Sequence, residues 1–181
     1  MTEKELVKGC AQEKRSFQEL LYQQYYKKMF AVCMRYGKDR DQALDMLQEG
    51  FIKVYNNINS FNHSGSLEGW IRRIMVNSAI NLIRKEKPTI DINNVYEDRN
   101  VITKETVLDK MSADEIMELI QKLPHGYKTV FNLFAIEGYS HKEIAEMLDI
   151  QESTSRTQFL KAKTALKKML EELKTPIRNV E

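Results

Sequence analysis

Glycine and proline are scarce in this chain, seven and three in 181 residues. No convincing alternation of apolar and polar residues appears either, which argues against half-buried strands. Apolar residues instead recur at helical spacing almost throughout, so the expected fold class is all-α. No apolar run approaches the roughly 20 residues needed to cross a bilayer. Met1 to Lys14 is polar and charged, without a signal-peptide core, so a cytoplasmic location is expected. Cysteine is nearly absent: Cys10 and Cys33 form no Cys-x-x-Cys pair and lie at no zinc spacing from His63, His125 or His141. Structural thiols and no metal site follow. The net charge is only +2, which excludes a uniformly basic DNA coat but allows local basic faces. No glycine-rich phosphate loop and no nucleophile with a base is found, so neither catalysis, a cofactor nor a small-molecule substrate is expected.

What is present is a run of amphipathic helices. The first is expected from about Gln12 to Arg35, with Phe17, Leu20, Leu21, Tyr25, Met29, Val32 and Cys33 as its apolar stripe. The second runs from about Arg40 to Ile58, with Ala43, Leu47, Phe51, Val54 and Ile58 on one face. A polar loop, Asn59 to Gly65, precedes a third helix from near Ser66 to near Lys87, where Pro88 stops it. From Pro88 to about Lys110 the chain is polar and weakly periodic, as in a flexible linker. Helical pattern resumes at Ser112 with Ile116, Leu119, Ile120 and Leu123. Pro124 opens the next helix, whose apolar face is Val130, Leu133 and Phe134 and which Gly138 ends. Two small helical domains are therefore expected, residues 1–87 and 112–181, joined by a linker over 88–111.

The sharpest local signal lies between Tyr139 and Lys163. Ser140-His141-Lys142-Glu143 is a capping box, with Ile144, Ala145 and Leu148 following at core spacing. Ala145 is small where two helices would cross closely. Asp149 occupies a turn that often goes left-handed, and Ile150 plugs the gap between the helices. The next helix starts near Glu152. Its expected buried stripe is Phe159, Ala162, Leu166, Met169 or Leu170, and Leu173. Its other face carries Ser153, Thr154, Arg156, Thr157, Lys161 and Lys163. This is helix-turn-helix spacing, and such a second helix can enter a major groove. A basic face alone would equally suit an ordinary solvated hairpin.

The third helix carries a second pattern. At 3.6 residues per turn, Arg73, Asn77, Asn81 and Arg84 share a stripe with Trp70 on its edge. Amides and arginines beside an aromatic ring suit single-stranded nucleic acid, since bases stack on rings while amides read their edges. Phe61, Asn62 and His63 in the preceding loop could wall a pocket for an unstacked base. Read alone, the stripe also suits the solvated face of a globular helix.

Together the two halves resemble the extracytoplasmic-function branch of the sigma-70 family. Asp45-Met46-Leu47-Gln48-Glu49-Gly50-Phe51 is similar to the family's Asp-Leu-x-Gln-Glu-x-Phe helix, and Trp70 to Asn81 to its Trp-x-x-Arg-Ile-x-x-Asn-x-x-x-Asn helix. These lie in what would be sigma region 2. Gly138 to Ala145 and Ser153 to Lys163 resemble the helix-turn-helix of region 4. The resemblance implies that Asp45, Gln48 and Glu49, with Phe51 beneath them, dock on the clamp helices of the polymerase β′ subunit. It implies that Phe61, Trp70, Arg73, Asn77 and Asn81 meet the opened −10 element. Arg156, Thr157, Leu160 and Lys161 would read the −35 element, with region 4 at the β flap. It further implies an anti-sigma factor as partner, besides core RNA polymerase and promoter DNA. Some positions depart from the pattern. Gln42 and Leu44 stand where acids are frequent, Ser153 and Ser155 where glycine and valine are common, and Gln158 where arginine is common. The last three put promoter sequence in question. Two rival readings remain: a helix-turn-helix regulator that never engages core polymerase, and a helical scaffold that binds only protein.

Overall fold

The computed structural model describes residues 2–85 and 112–174. The expected linker over 88–111 lies outside them, as do residues 86–87 of the expected third helix. Every described element is helical. The chain divides into two compact units, Met1–Lys87 and Pro88–Glu181.

The first unit begins with a helix that the polar N-terminus conceals. Helix α1, Glu3–Ala11, is started by a capping box in which Thr2 and Glu5 satisfy each other's backbone N–H groups. Its Leu6, Val7 and Cys10 are buried. Glu13 then takes a left-handed backbone, φ 56°, and turns the chain into α2, Arg15–Met34. The helix expected from Gln12 to Arg35 is α2, and α1 is an additional helix ahead of it. A Cβ on Gly9 would fall 2.2 Å from the Phe17 ring, so glycine is what lets the two helices meet at this corner.

Helix α3, Arg40–Asn57, starts where the Asp39 carboxylate accepts from Gln42 N–H at 2.8 Å. The expected face, Ala43, Leu47, Phe51, Val54 and Ile58, is buried as read. A short 3₁₀ turn, Ile58–Ser60, leads into the loop before α4, Leu67–Lys85. Ser66 begins α4 by accepting from Gly69 N–H. Gly50 faces Met75 so closely that an added Cβ would lie 2.1 Å from its Sδ. The α3–α4 approach therefore depends on a missing side chain. Cys33 is fully buried, and burial pushes its thiol up to about 12. Cys10 is buried too, and its thiol is also raised by burial.

The second unit starts at α5, Ala113–Gln121, under a Ser112–Glu115 capping box. Helix α6, His125–Phe131, passes into a π turn over Asn132–Ile136 that the sequence does not announce. Gly138 ends it at φ 79°. Helix α7, His141–Leu148, carries the expected Ser140–Glu143 box, and α8 runs over Glu152–Lys174. The core joins Ile120, Leu123 and Ala162 to Ile116, Phe131, Leu166 and Met169. One expected core residue is misplaced: Leu173 is 66% exposed, because it lies in the last turn of α8.

Asp149 adopts the left-handed conformation expected of the turn, φ 56° and ψ 49°. Aspartate tolerates it but still carries a Cβ penalty that glycine lacks. Asp149→Gly is expected to stabilise α7 and α8 by about 0.5–1 kcal/mol. Amide hydrogen exchange in those helices measures this, and slower exchange is the expected result.

Candidate nucleic-acid and polymerase interfaces

On α4 the residues Arg73, Asn77, Asn81 and Arg84 are all exposed. Ile71, Met75, Val76, Ala79, Ile80 and Ile83 lie beneath them in the core. The stripe is a ledge of two amides and two cations on a rigid helix. Phe61, expected as a pocket wall, is instead only 6% exposed. Its ring sits 5.6 Å from Trp70 and 4.7 Å from His63. Phe61 thus packs the loop against the start of α4. The exposed loop residues are Asn62, His63 and Ser64. Asn62 accepts from both the backbone and the hydroxyl of Ser64, and His63 has φ 58°, so the loop is braced internally. Trp70 is half-buried beside it. Lys28 of α2 pairs with Glu68 at 2.5 Å, on side chains 61% and 44% exposed. Such a pair adds at most about 1 kcal/mol, so packing rather than charge holds α4 in place.

On α3, Asp45, Gln48 and Glu49 are exposed on one face. Phe51 is buried behind them with its ring 4.7 Å from Tyr22. The structure adds Ile52, which is 55% exposed one turn beyond Gln48 and Glu49. A signal for it existed: Ile52 is apolar but out of phase with the Ala43–Leu47–Phe51–Val54 stripe. An apolar side chain ringed by acidic and amide groups suits a protein partner better than nucleic acid.

On α8 the exposed face bears Arg156, Thr157 and Leu160, the last 58% exposed, with Lys161 half-buried. Arg156 is paired with Glu152 one turn earlier at 2.5 Å. The Thr157 hydroxyl donates to the Ser153 carbonyl at 2.9 Å. Two of the residues that depart from the family pattern do not face outward. Ser155 is fully buried, and Gln158 is 8% exposed beside Gly126. The buried stripe of α8 starts at Ser155, a turn before Phe159, so these two departures bear on packing and not on base contact. The Ser155 hydroxyl lies 2.9 Å from His141 Nδ1. The His141 imidazole is held below its ordinary range, first by burial and second by the charge of Arg156, with Glu152 acting the other way.

Among the described residues no group of histidines, cysteines and carboxylates could hold a metal ion. No described helix is long and apolar enough to cross a membrane.

Residues 21–89 match the family profile of Sigma-70 region 2, and residues 113–166 that of Sigma-70, region 4. The ECF RNA polymerase sigma factor SigW of Bacillus subtilis is 32% identical over 161 residues, covering 82% of this chain and 86% of SigW. The chain belongs to the extracytoplasmic-function sigma factors of the sigma-70 family. This sigma factor is also 29% identical to the ECF RNA polymerase sigma-E factor of Haemophilus influenzae, over 96% of this chain and 97% of that one. A solved sigma factor, RpoE in complex with the anti-sigma factor NepR from Bartonella quintana, shares 16% identity. It covers 87% of this chain and 98% of its own, with a TM-score of 0.49. Proteins of this family are transcription initiation factors, not known enzymes.

Proposed function

We propose that this sigma factor binds core RNA polymerase through α3, opens the −10 element on α4, and reads the −35 element with α8. The observation that carries this is the α4 ledge. Arg73, Asn77, Asn81 and Arg84 stand exposed in one row beside the Phe61–Trp70 corner, an arrangement suited to unpaired bases. The first unit would then be the region 2 domain over residues 1–87. Residues 112–181 would be the region 4 domain, with 88–111 linking them. The protein has no catalysis of its own on this reading. It works in the cytoplasm, where polymerase and promoter are, and an anti-sigma factor covers it until a signal arrives. The regulator that never meets core polymerase is not favoured, because the region 2 match occupies the half such a protein would need for dimerisation or sensing.

Ile52 is included in the docking surface together with Asp45, Gln48 and Glu49. Burying an aliphatic side chain stabilises by about 1.5 kcal/mol or more, so Ile52→Glu is expected to weaken core binding about tenfold. Titration of the labelled sigma factor with core polymerase measures it, and unchanged affinity would remove Ile52 from the surface. The reading as a whole is tested by mapping transcription starts from a promoter library, using core polymerase with and without this protein. New starts that share two spaced motifs are expected. Folded protein and competent core yielding no new starts would overturn it.

A further inference from the structure

His141 and Ser155 form a contact that the DNA-reading role alone does not explain. His141 opens α7, and Ser155 lies in the first turn of α8, fully buried. Nδ1 of one lies 2.9 Å from Oγ of the other. The imidazole also stacks on Phe134, with centroids 4.3 Å apart and planes 13° apart, and meets the edge of Phe159 at 5.7 Å. Phe134 is delivered by the π turn after α6. Three elements therefore close on one ring, and the next residue after Ser155 is the exposed Arg156.

The chemistry makes this contact specific to the chain. A buried hydroxyl needs a partner, and leaving it without one costs about 1–3 kcal/mol. Position 155 is one where valine is common in the resembling pattern, and valine would need no partner. Serine there is matched by a histidine on α7, so the two residues are coupled.

We propose that the His141–Ser155 contact is a polar latch that fixes the pose of α8 and so positions Arg156, Thr157 and Leu160 for the upstream element. The inference rests on the reading of α8 as the recognition helix. His141 and Ser155 are positioning residues and touch no base. The latch is also sensitive to protonation. The charged groups acting on the imidazole are Arg156 and Glu152 of α8. The rings of Phe134 and Phe159 are neutral, and Glu143 of α7 is engaged by Ser140. A protonated His141 would set a cation beside Arg156 and at the positive end of α7. Its folded value lies below the ordinary 6.5. The latch is therefore strongest above about pH 6.5 and weakens as the pH falls through the lowered folded value, because the added charge stands beside Arg156 even though Nδ1–H can still donate to Ser155.

The test uses holoenzyme made from the full chain. The probes are two promoter fragments, one with the upstream motif found by library mapping and one with that motif scrambled. The readout is the ratio of the two affinities, in which sequence-independent charge effects cancel. His141→Ala and Ser155→Ala are each expected to lower the ratio about five- to tenfold, in line with one lost hydrogen bond and a misplaced helix. The double variant should be no worse than either single one, because both remove the same contact. His141→Gln keeps a polar group that can bond Ser155 and should recover most of the ratio. The wild-type ratio should fall as the pH drops below about 6.5, while that of His141→Gln stays level. An unchanged ratio in both alanine variants, additive losses in the double variant, or equal losses on both fragments would overturn the latch. A wild-type ratio of one would instead overturn the reading of α8.

Discussion

Holoenzyme carrying Asn77→Ala is expected to bind its promoter nearly as well as wild type and to leave it largely closed. Asn77 is exposed in the middle of the α4 ledge, so its removal opens no cavity and strips no buried partner. The side chain acts only when a base has left the stack. Extruding a base costs a few kcal/mol, and the surface that receives it must return about that much. Losing one of the groups that receive it should cost about 1–3 kcal/mol, which is a tenfold to hundredfold loss of open complex. Permanganate reactivity of thymines in the downstream element reads opening directly, and a filter-binding titration reads total binding. Strongly reduced reactivity with near-normal binding is the expected pair of results. Normal reactivity would remove Asn77 from the opened strand.

Arg156→Ala is expected to weaken promoter use by about 1–3 kcal/mol, the usual cost of a lost base contact. In the free protein Arg156 is held by Glu152 at 2.5 Å, which raises the question of whether it is available. Magnitudes decide this. An exposed pair one helical turn apart is worth about 0.3–0.5 kcal/mol, well below a bidentate contact to guanine at about 1–3 kcal/mol. The ion pair therefore yields to DNA. Runoff transcription on promoters with and without the upstream motif measures the effect, and unchanged dependence on that motif would refute the assignment. Thr157 should matter less, since its hydroxyl is already donated to the Ser153 carbonyl.

Much of this is legible in the sequence. The stripe Ala43, Leu47, Phe51, Val54 and Ile58 is buried because it repeats at helical period with no polar interruption. The three capping boxes are local in sequence, and two of them fall where the helical pattern resumes or turns. Asp149 could be read because few residues tolerate a left-handed turn. Other features are set by tertiary packing that local pattern does not reveal. Helix α1 hid because only Leu6, Val7 and Cys10 of its nine residues carry its apolar burial, which is too few to stand out against lysines and glutamates. The buried stripe of α8 begins at Ser155 and Gln158, polar side chains that mimic a solvated face until their neighbours are known. Leu173 has the right period, but the helix extends past what could cover it. Phe61 lies in the loop before α4, and the burial of its ring against Trp70 depends on tertiary contacts that no spacing encodes. The π turn over Asn132–Ile136 has no sequence signature at all.

If α4 and α8 meet two separate elements of one promoter, probes fixed on each helix will report different stretches of DNA. The native thiols favour a direct test, because Cys10 and Cys33 are buried and shifted toward the inert protonated form. A DNA-cleaving iron chelate can therefore be attached selectively at Lys85→Cys, past the end of the α4 ledge, or at Ser153→Cys, in the first turn of α8. The cuts made in the promoter complex with core polymerase are then mapped. Two distinct clusters are expected, one at the downstream element from position 85 and one at the upstream element from position 153. Both probes cutting at one element, or the position 85 probe cutting no promoter DNA, would contradict this expectation.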